Sequence, residues 1–90
     1  MSYTLYVLRC NDDTLYTGIT TDIEKRLHEH NHTDKGAKYT KSRRPVTLLY
    51  AQACEDKSDA LRREYALKQL SRLKKLEFIK ENLINTNNWN

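Results

Sequence analysis

Residues 3–24, YTLYVLRCNDDTLYTGITTDIE, decide the fold. Tyr3 to Cys10 is an aromatic and aliphatic run with apolar side chains at odd and even positions alike. It reads as a strand covered on both faces. Asn11-Asp12-Asp13 supplies turn chemistry, because Asx side chains bond their own backbone and tolerate left-handed geometry. Leu15 to Thr20 then returns as a second strand, giving a β-hairpin. Thr21-Asp22-Ile23-Glu24 has the form of a capping box, in which hydroxyl and carboxylate satisfy orphan amides at a helix start. That helix is expected to run to about Asn31, with Ile23 and Leu27 on its buried stripe.

Beyond this stretch, His32 to Pro45 is polar and basic, a loop with room for one short helical turn. Val46 to Ala53 forms a third strand, with Pro45 where a strand start permits it. Lys57 to Leu70 reads as a second helix capped by Asp56 or Ser58. Ser71 caps a third, in which Leu73, Leu76, Ile79 and Leu83 step at three and four. The order β-β-α-β-α-α predicts an α+β domain over residues 1–84: a three-stranded antiparallel sheet flanked by helices. A frayed tail is expected over Asn85 to Asn90, with Trp89 docked or dangling.

Ninety residues suit one compact domain. The hydrophobic share of 38% is low and the charged share of 31% high, so a small core carries a heavily solvated shell. No apolar run approaches the length of a membrane span, and Met1-Ser2-Tyr3-Thr4 lacks a signal-peptide pattern, so a cytoplasmic protein is expected. Cys10 and Cys54 are too few for a disulfide framework and read as buried strand residues. His28, His30 and His32 alternate, a spacing that does not bring three rings to one zinc ion on a helix.

The net charge of +4 is unevenly spread. Lys35, Lys38, Lys41, Arg43 and Arg44 follow one another without an intervening carboxylate, and Arg62, Arg63, Lys68, Arg72, Lys74 and Lys75 face Glu64 alone. Concentrated positive charge attracts polyanions, since each phosphate neutralised releases counterions. The alternative is a solvated basic surface.

Two helical positions are out of place. Arg26 and His30, four apart, sit at the edge of the first helix's apolar stripe. Glu64 falls among Ala60, Leu61 and Leu67, in the middle of an apolar face. A carboxylate there needs a cation, a donor or a cleft open to water. The simplest partner is Arg26, in a buried ion pair. Tyr6 and Tyr16 lie on the hairpin strands close to Gly18 and the helix carrying Arg26.

These residues resemble the GIY-YIG endonuclease superfamily over roughly Ser2 to Leu83. Thr4-Leu5-Tyr6 is similar to the first signature and Tyr16-Thr17-Gly18 to the second. Arg26, the His30-Asn31 pair and Glu64 follow in the family's order. Lys-Gly-Ala-Lys-Tyr-Thr (35–40) looks like the loop of the small, stand-alone bacterial branch. Two departures stand out. Neither signature is complete, and the lysine that other branches carry after the second motif is absent from Ile19-Thr20-Thr21, leaving Lys38 or Lys41 to supply that charge.

The resemblance implies divalent-metal-dependent hydrolysis of phosphodiesters in DNA, structure-selective or weakly specific, in repair or processing. Tyr6 would take a proton from the attacking water, and Tyr16 would orient the water or phosphate. His30 would share the base role or hydrogen-bond Tyr6. Arg26 has the planar fork that suits two phosphate oxygens. Glu64 would hold Mg²⁺ or Mn²⁺ weakly, an ion that can manage with one protein carboxylate. Lys35, Lys38, Lys41, Arg43, Arg44 and Lys68 are the expected nucleic-acid contacts of a monomer or weak dimer, while Gly18 and Asn31 support the motifs, Gly18 by allowing a tight turn. The alternatives are a nucleic-acid-binding module of the same fold without turnover, and a protein-interaction domain whose basic face meets an acidic partner.

Overall fold

The computed structural model describes the backbone of residues 2–87 and the side chains through Asn82. Its elements are β1 (Tyr3–Arg9), β2 (Leu15–Thr20), α1 (Ile23–His32), α2 (Lys38–Lys41), β3 (Thr47–Cys54), α3 (Lys57–Lys68) and α4 (Arg72–Asn87). The one-turn α2 is the short helical turn for which the loop had room. The three strands make one antiparallel sheet in the order β2-β1-β3, with β1 in the centre. The expected tail therefore begins inside α4, and Trp89 lies outside the described residues.

Because β1 is central, both its faces are buried, which is why its sequence does not alternate. Leu5 and Val7 join Tyr50, Cys54, Ala60, Leu67 and Ile79 in the core under α3 and α4. Tyr6, Leu8 and Cys10 join Val46 on the opposite face, where Tyr16, Ile23 and Leu27 pack against them. β1 and β3 slip register between Val7 and Leu8, so that Val7 faces Tyr50 and Leu8 faces Leu48. The extra residue, Leu49, packs against the core under α3 and α4.

The hairpin turn works as its sequence suggests. Asp13 adopts φ 70°, and Asp12 Oδ1 accepts the Thr14 amide at 3.2 Å and its hydroxyl at 2.6 Å. The α1 cap differs by one residue. Asp22, not Thr21, has the extended backbone of a cap, and its carboxylate accepts the Lys25 amide at 3.1 Å. A carboxylate at that position also gains from the helix dipole. Asp56 caps α3, accepting the Asp59 amide at 2.8 Å, and Ser71 Oγ accepts the Lys74 amide at 3.2 Å ahead of α4.

Two helical leucines expected inside lie outside: Leu61 and Leu73 are exposed, while Ile79 is buried with Phe78 packed beside it. Each helix covers a sheet only three strands wide, so its buried stripe is narrower than its apolar pattern. Asn31 has a clear task. Its side-chain amide donates to the Val46 carbonyl at 3.0 Å and accepts the Val46 amide at 2.7 Å, tying the end of α1 to the start of β3. Among the described residues no helix is long and apolar enough to cross a membrane.

Candidate active site

The site forms on the sheet face covered by α1. Tyr6 on β1 and Gly18 on β2 are cross-strand partners. A Cβ on Gly18 would lie 2.5 Å from the Tyr6 hydroxyl, so only glycine lets the phenol lie across β2. The expected tight-turn role is corrected: Gly18 sits within the strand, without a positive φ, and is needed for close approach.

The Tyr6 hydroxyl lies 2.9 Å from His30 Nε2, and both side chains are fully buried. Burial of His30 exceeds what its position at the stripe's edge suggests, because α2 closes over it: Thr40 Oγ1 is 2.9 Å from His30 Nδ1 and the Ala37 amide donates to the same nitrogen at 3.3 Å. Tyr16 stands edge-on to the His30 ring with centroids 5.2 Å apart, and 6.4 Å from the Tyr6 ring. Tyr39 stacks on Tyr16 at 5.9 Å. Tyr50, by contrast, is a core residue on the other face, 5.7 Å from Phe78.

Electrostatics separate the partners. Burial pushes the Tyr6 phenol up to about 12 even though the Arg26 guanidinium favours its anion; the charges of Tyr16 and Glu64 add to the rise. Burial, reinforced by Arg26 and Arg44, presses His30 down to about 4, so its ring is neutral at pH 7. Tyr6 thus feels Arg26, Tyr16 and Glu64, and His30 feels Arg26, Glu29 and Arg44.

Arg26 is not paired with Glu64. Its guanidinium donates to Glu29 Oε1 at 3.0 Å and to the Lys35 carbonyl at 2.8 Å. Glu64, whose side chain is 19% exposed, faces Lys68 Nζ at 3.4 Å. The reason is topological. α3 packs on the opposite sheet face from α1, so Glu64 and Arg26 do not form the direct pair the sequence suggested. Beside Arg26 a polar recess of about 280 Å³ is lined by Thr20, Thr21, Asp22, Lys25 and Glu29. Lys25 was missed by sequence reading; its signal is its place on α1 directly before Arg26, one turn from the motif that lacks a lysine. Two larger hollows lie elsewhere, an apolar one of about 350 Å³ between Leu5, Leu67 and Phe78 and one of about 410 Å³ by Arg9 and Pro45.

The basic residues divide into two groups. Arg43 Cζ lies over the Tyr39 ring, 3.9 Å from its centroid, and the guanidinium donates to Asp12 Oδ2 at 3.0 Å and the Tyr39 carbonyl at 2.8 Å. Arg44 donates to the carbonyls of His30 at 2.6 Å, Glu29 at 3.4 Å and Thr33, closing the C-terminus of α1. Arg62 and Arg63 pair with Asp59, and Arg72 with Asp13. Among the described residues Lys35, Lys38 and Lys41 make no ion pair through their side chains, and all three are exposed.

Residues 2–77 match the model of the GIY-YIG catalytic domain. The chain belongs to the GIY-YIG family. It is 55% identical over 76 residues to a UPF0213 protein of Desulfotalea psychrophila, covering 84% of this chain and 69% of that protein. A UPF0213 protein of Bacillus velezensis is 52% identical over 80 residues, covering 89% and 80% of the two chains. Among solved structures, the UPF0213 protein BH0048 of Bacillus halodurans is similar, with a TM-score of 0.59 and 42% identity over 89% of this chain and 84% of that one. The protein EF2693 of E. faecalis gives a TM-score of 0.63 with 40% identity, covering 92% and 88%. The GIY-YIG order and antiparallel sheet expected from the motifs are those of these neighbours.

Among the described residues no group of three or more His, Cys, Asp or Glu side chains could cage a metal. A single carboxylate such as Glu64 suits a hard ion that keeps most of its waters.

Proposed function

We propose that this GIY-YIG domain is an endonuclease that hydrolyses phosphodiester bonds in DNA, structure-selective or weakly specific, working in cytoplasmic repair or processing. The observation that supports it most is the fully buried Tyr6 hydroxyl within 2.9 Å of His30 Nε2, lying across Gly18 on the neighbouring strand. A buried phenol and a buried imidazole meeting at 2.9 Å are costly to a small core, and a reaction gives them a purpose.

In this reading Tyr6 receives the proton of the attacking water and Tyr16 orients that water or the phosphate. Arg26 turns from Glu29 and the Lys35 carbonyl towards two non-bridging oxygens as charge builds on them. Lys25, on the rim of the same recess, supplies the charge assigned from sequence to Lys38 or Lys41. Glu64 would hold Mg²⁺ or Mn²⁺, which when bound supplies positive charge for the departing 3′ oxygen. Lys68 must then leave Glu64, and weak metal affinity follows. Lys35, Lys38 and Lys41 meet phosphates beyond the scissile one.

One observation favours a second reading, a nucleic-acid-binding module with little turnover. Ionising a phenol held at about 12 costs about 7 kcal/mol at pH 7. Substrate and metal must offset much of that. The deciding experiment incubates the protein with branched, single-stranded and duplex DNA in Mg²⁺ or Mn²⁺. Cleavage abolished by Glu64→Gln and Arg26→Ala supports the endonuclease. Salt-sensitive binding without cleavage supports the module, and no DNA binding at all sinks both.

A further inference from the structure

We propose that the segment 36–40 holds the His30 proton on Nε2, with the Ala37 amide and the Thr40 hydroxyl as positioning groups, so that His30 faces Tyr6 as a hydrogen-bond donor and not as a base. The inference deepens the proposed endonuclease site and rests on it for its catalytic meaning.

The deciding atom is His30 Nδ1. A neutral imidazole carries one proton, and whichever nitrogen lacks it must accept. The Ala37 N–H donates to Nδ1 at 3.3 Å, and the direction of that hydrogen is fixed by the backbone. A proton on Nδ1 would point into it. Thr40 Oγ1, fully buried, lies 2.9 Å from the same nitrogen. Its hydroxyl can also reach the Ala37 carbonyl at 2.9 Å, but that oxygen already accepts the amides of Thr40 at 3.0 Å and Lys41 at 3.2 Å. With its two lone pairs occupied, the carbonyl leaves the hydroxyl proton for Nδ1.

Gly36 makes the approach possible. A Cβ there would lie 2.7 Å from the Glu29 carbonyl and 2.8 Å from His30 Cα, so only glycine lets this segment lie against α1. With Nδ1 accepting, Nε2 carries the proton and donates to the Tyr6 oxygen 2.9 Å away. Tyr6 then receives a hydrogen bond from His30 in the field of the Arg26 guanidinium, and both favour its anion. His30 has no free lone pair towards Tyr6, so the choice left open by sequence falls to Tyr6 as the base.

Long-range proton–nitrogen NMR of the ¹⁵N-labelled full chain at pH 7 tests this directly. The expected spectrum shows His30 Nδ1 unprotonated and Nε2 protonated; the reverse assignment overturns the proposal. Thr40→Val removes one donor to Nδ1. It should move the ring shifts towards the other tautomer and lower kcat about tenfold, one hydrogen bond's worth, at unchanged KM. Thr40→Ser should restore both. Ring shifts and kcat untouched by Thr40→Val would reduce Thr40 to packing and overturn its role. Should Thr40→Val fail to fold, the wild-type spectrum still decides the tautomer. A wild-type protein that shows the expected tautomer yet cuts no DNA would overturn the endonuclease and leave the tautomer standing.

Discussion

A single missing carbon at residue 18 governs whether Tyr6 can occupy its place. The Gly18→Ala methyl would stand 2.5 Å from the Tyr6 hydroxyl and 2.7 Å from its Cζ. The phenol is fully buried and held at its tip by His30, so it cannot swing aside freely. Overpacking of this kind costs about 1–3 kcal/mol. Gly18→Ala should therefore lower stability by that order in urea unfolding and depress any cleavage rate further still, because the displaced atom is that of the proposed base. An unaltered protein would mean that the strands yield and that the close approach is incidental. The same oxygen sets a pH dependence. With the phenol pushed up to about 12 and His30 pressed down to about 4, neither group titrates between pH 6 and 9. If Tyr6 is the base, log kcat/KM should climb steadily through that range as the anion fraction grows, with no inflection near the usual histidine value. A plateau above pH 6.5 would instead point to histidine as the titrating group.

At the scale of elements, the loop between α1 and β3 carries charges of two kinds. Arg44 holds three carbonyls at the C-terminus of α1, and Asn31 ties that helix to Val46 from both sides. Asn31→Ala leaves a buried amide and carbonyl without partners, at about 1–3 kcal/mol. Arg44→Ala should destabilise similarly while leaving the salt dependence of DNA binding unchanged, since that guanidinium is already engaged. Lys38→Ala and Lys41→Ala should do the reverse. Stability should hold, and the slope of log affinity against log salt should fall by about one per residue removed. Parallel unfolding curves and salt titrations check the division. A slope reduced by Arg44→Ala would return that residue to the phosphate surface. The sequence could not make this distinction, because a run of basic residues does not say which ones meet carbonyls. The elements themselves were legible, since strand runs, Asx turns and helix caps are local signals. Tyr6, Gly18 and Arg26 were legible through the spacing of their motifs. The partners of Glu64 and Arg26 were not, because α3 and α1 lie on opposite faces of the sheet and no helical period reports that. Ala37 and Gly36 act through backbone atoms, which side-chain chemistry cannot reveal.

For the molecule as a whole, a domain of this size has stability in the range of about 5–15 kcal/mol, so one buried titratable group is a sizeable share. His30 lies wholly inside, and burial first, then the charges of Arg26 and Arg44, lower it from 6.5 to about 4, with Glu29 opposing. In the unfolded chain the ring binds its proton near pH 6.5; in the folded protein it does so only near 4. Between those values the unfolded state holds more protons, so stability must rise with pH and be lost as pH falls. The full difference amounts to about 3 kcal/mol, of which about 2 kcal/mol is gone by pH 5. Asp12, Glu29 and Asp59 are depressed below the usual carboxylate range by Thr14, Arg26 and the Glu55 amide respectively, and their losses follow at lower pH with the same sign. The interval from pH 7 to 5 thus belongs chiefly to His30. Urea midpoints measured across it should fall steeply in the wild type and stay nearly level in His30→Gln, which cannot titrate. Equal slopes in the two proteins would show that the ring reaches water in the folded state. Tyr6 would then face a protonated imidazole at mildly acid pH, and the buried cluster on which the proposed chemistry depends would be an open one.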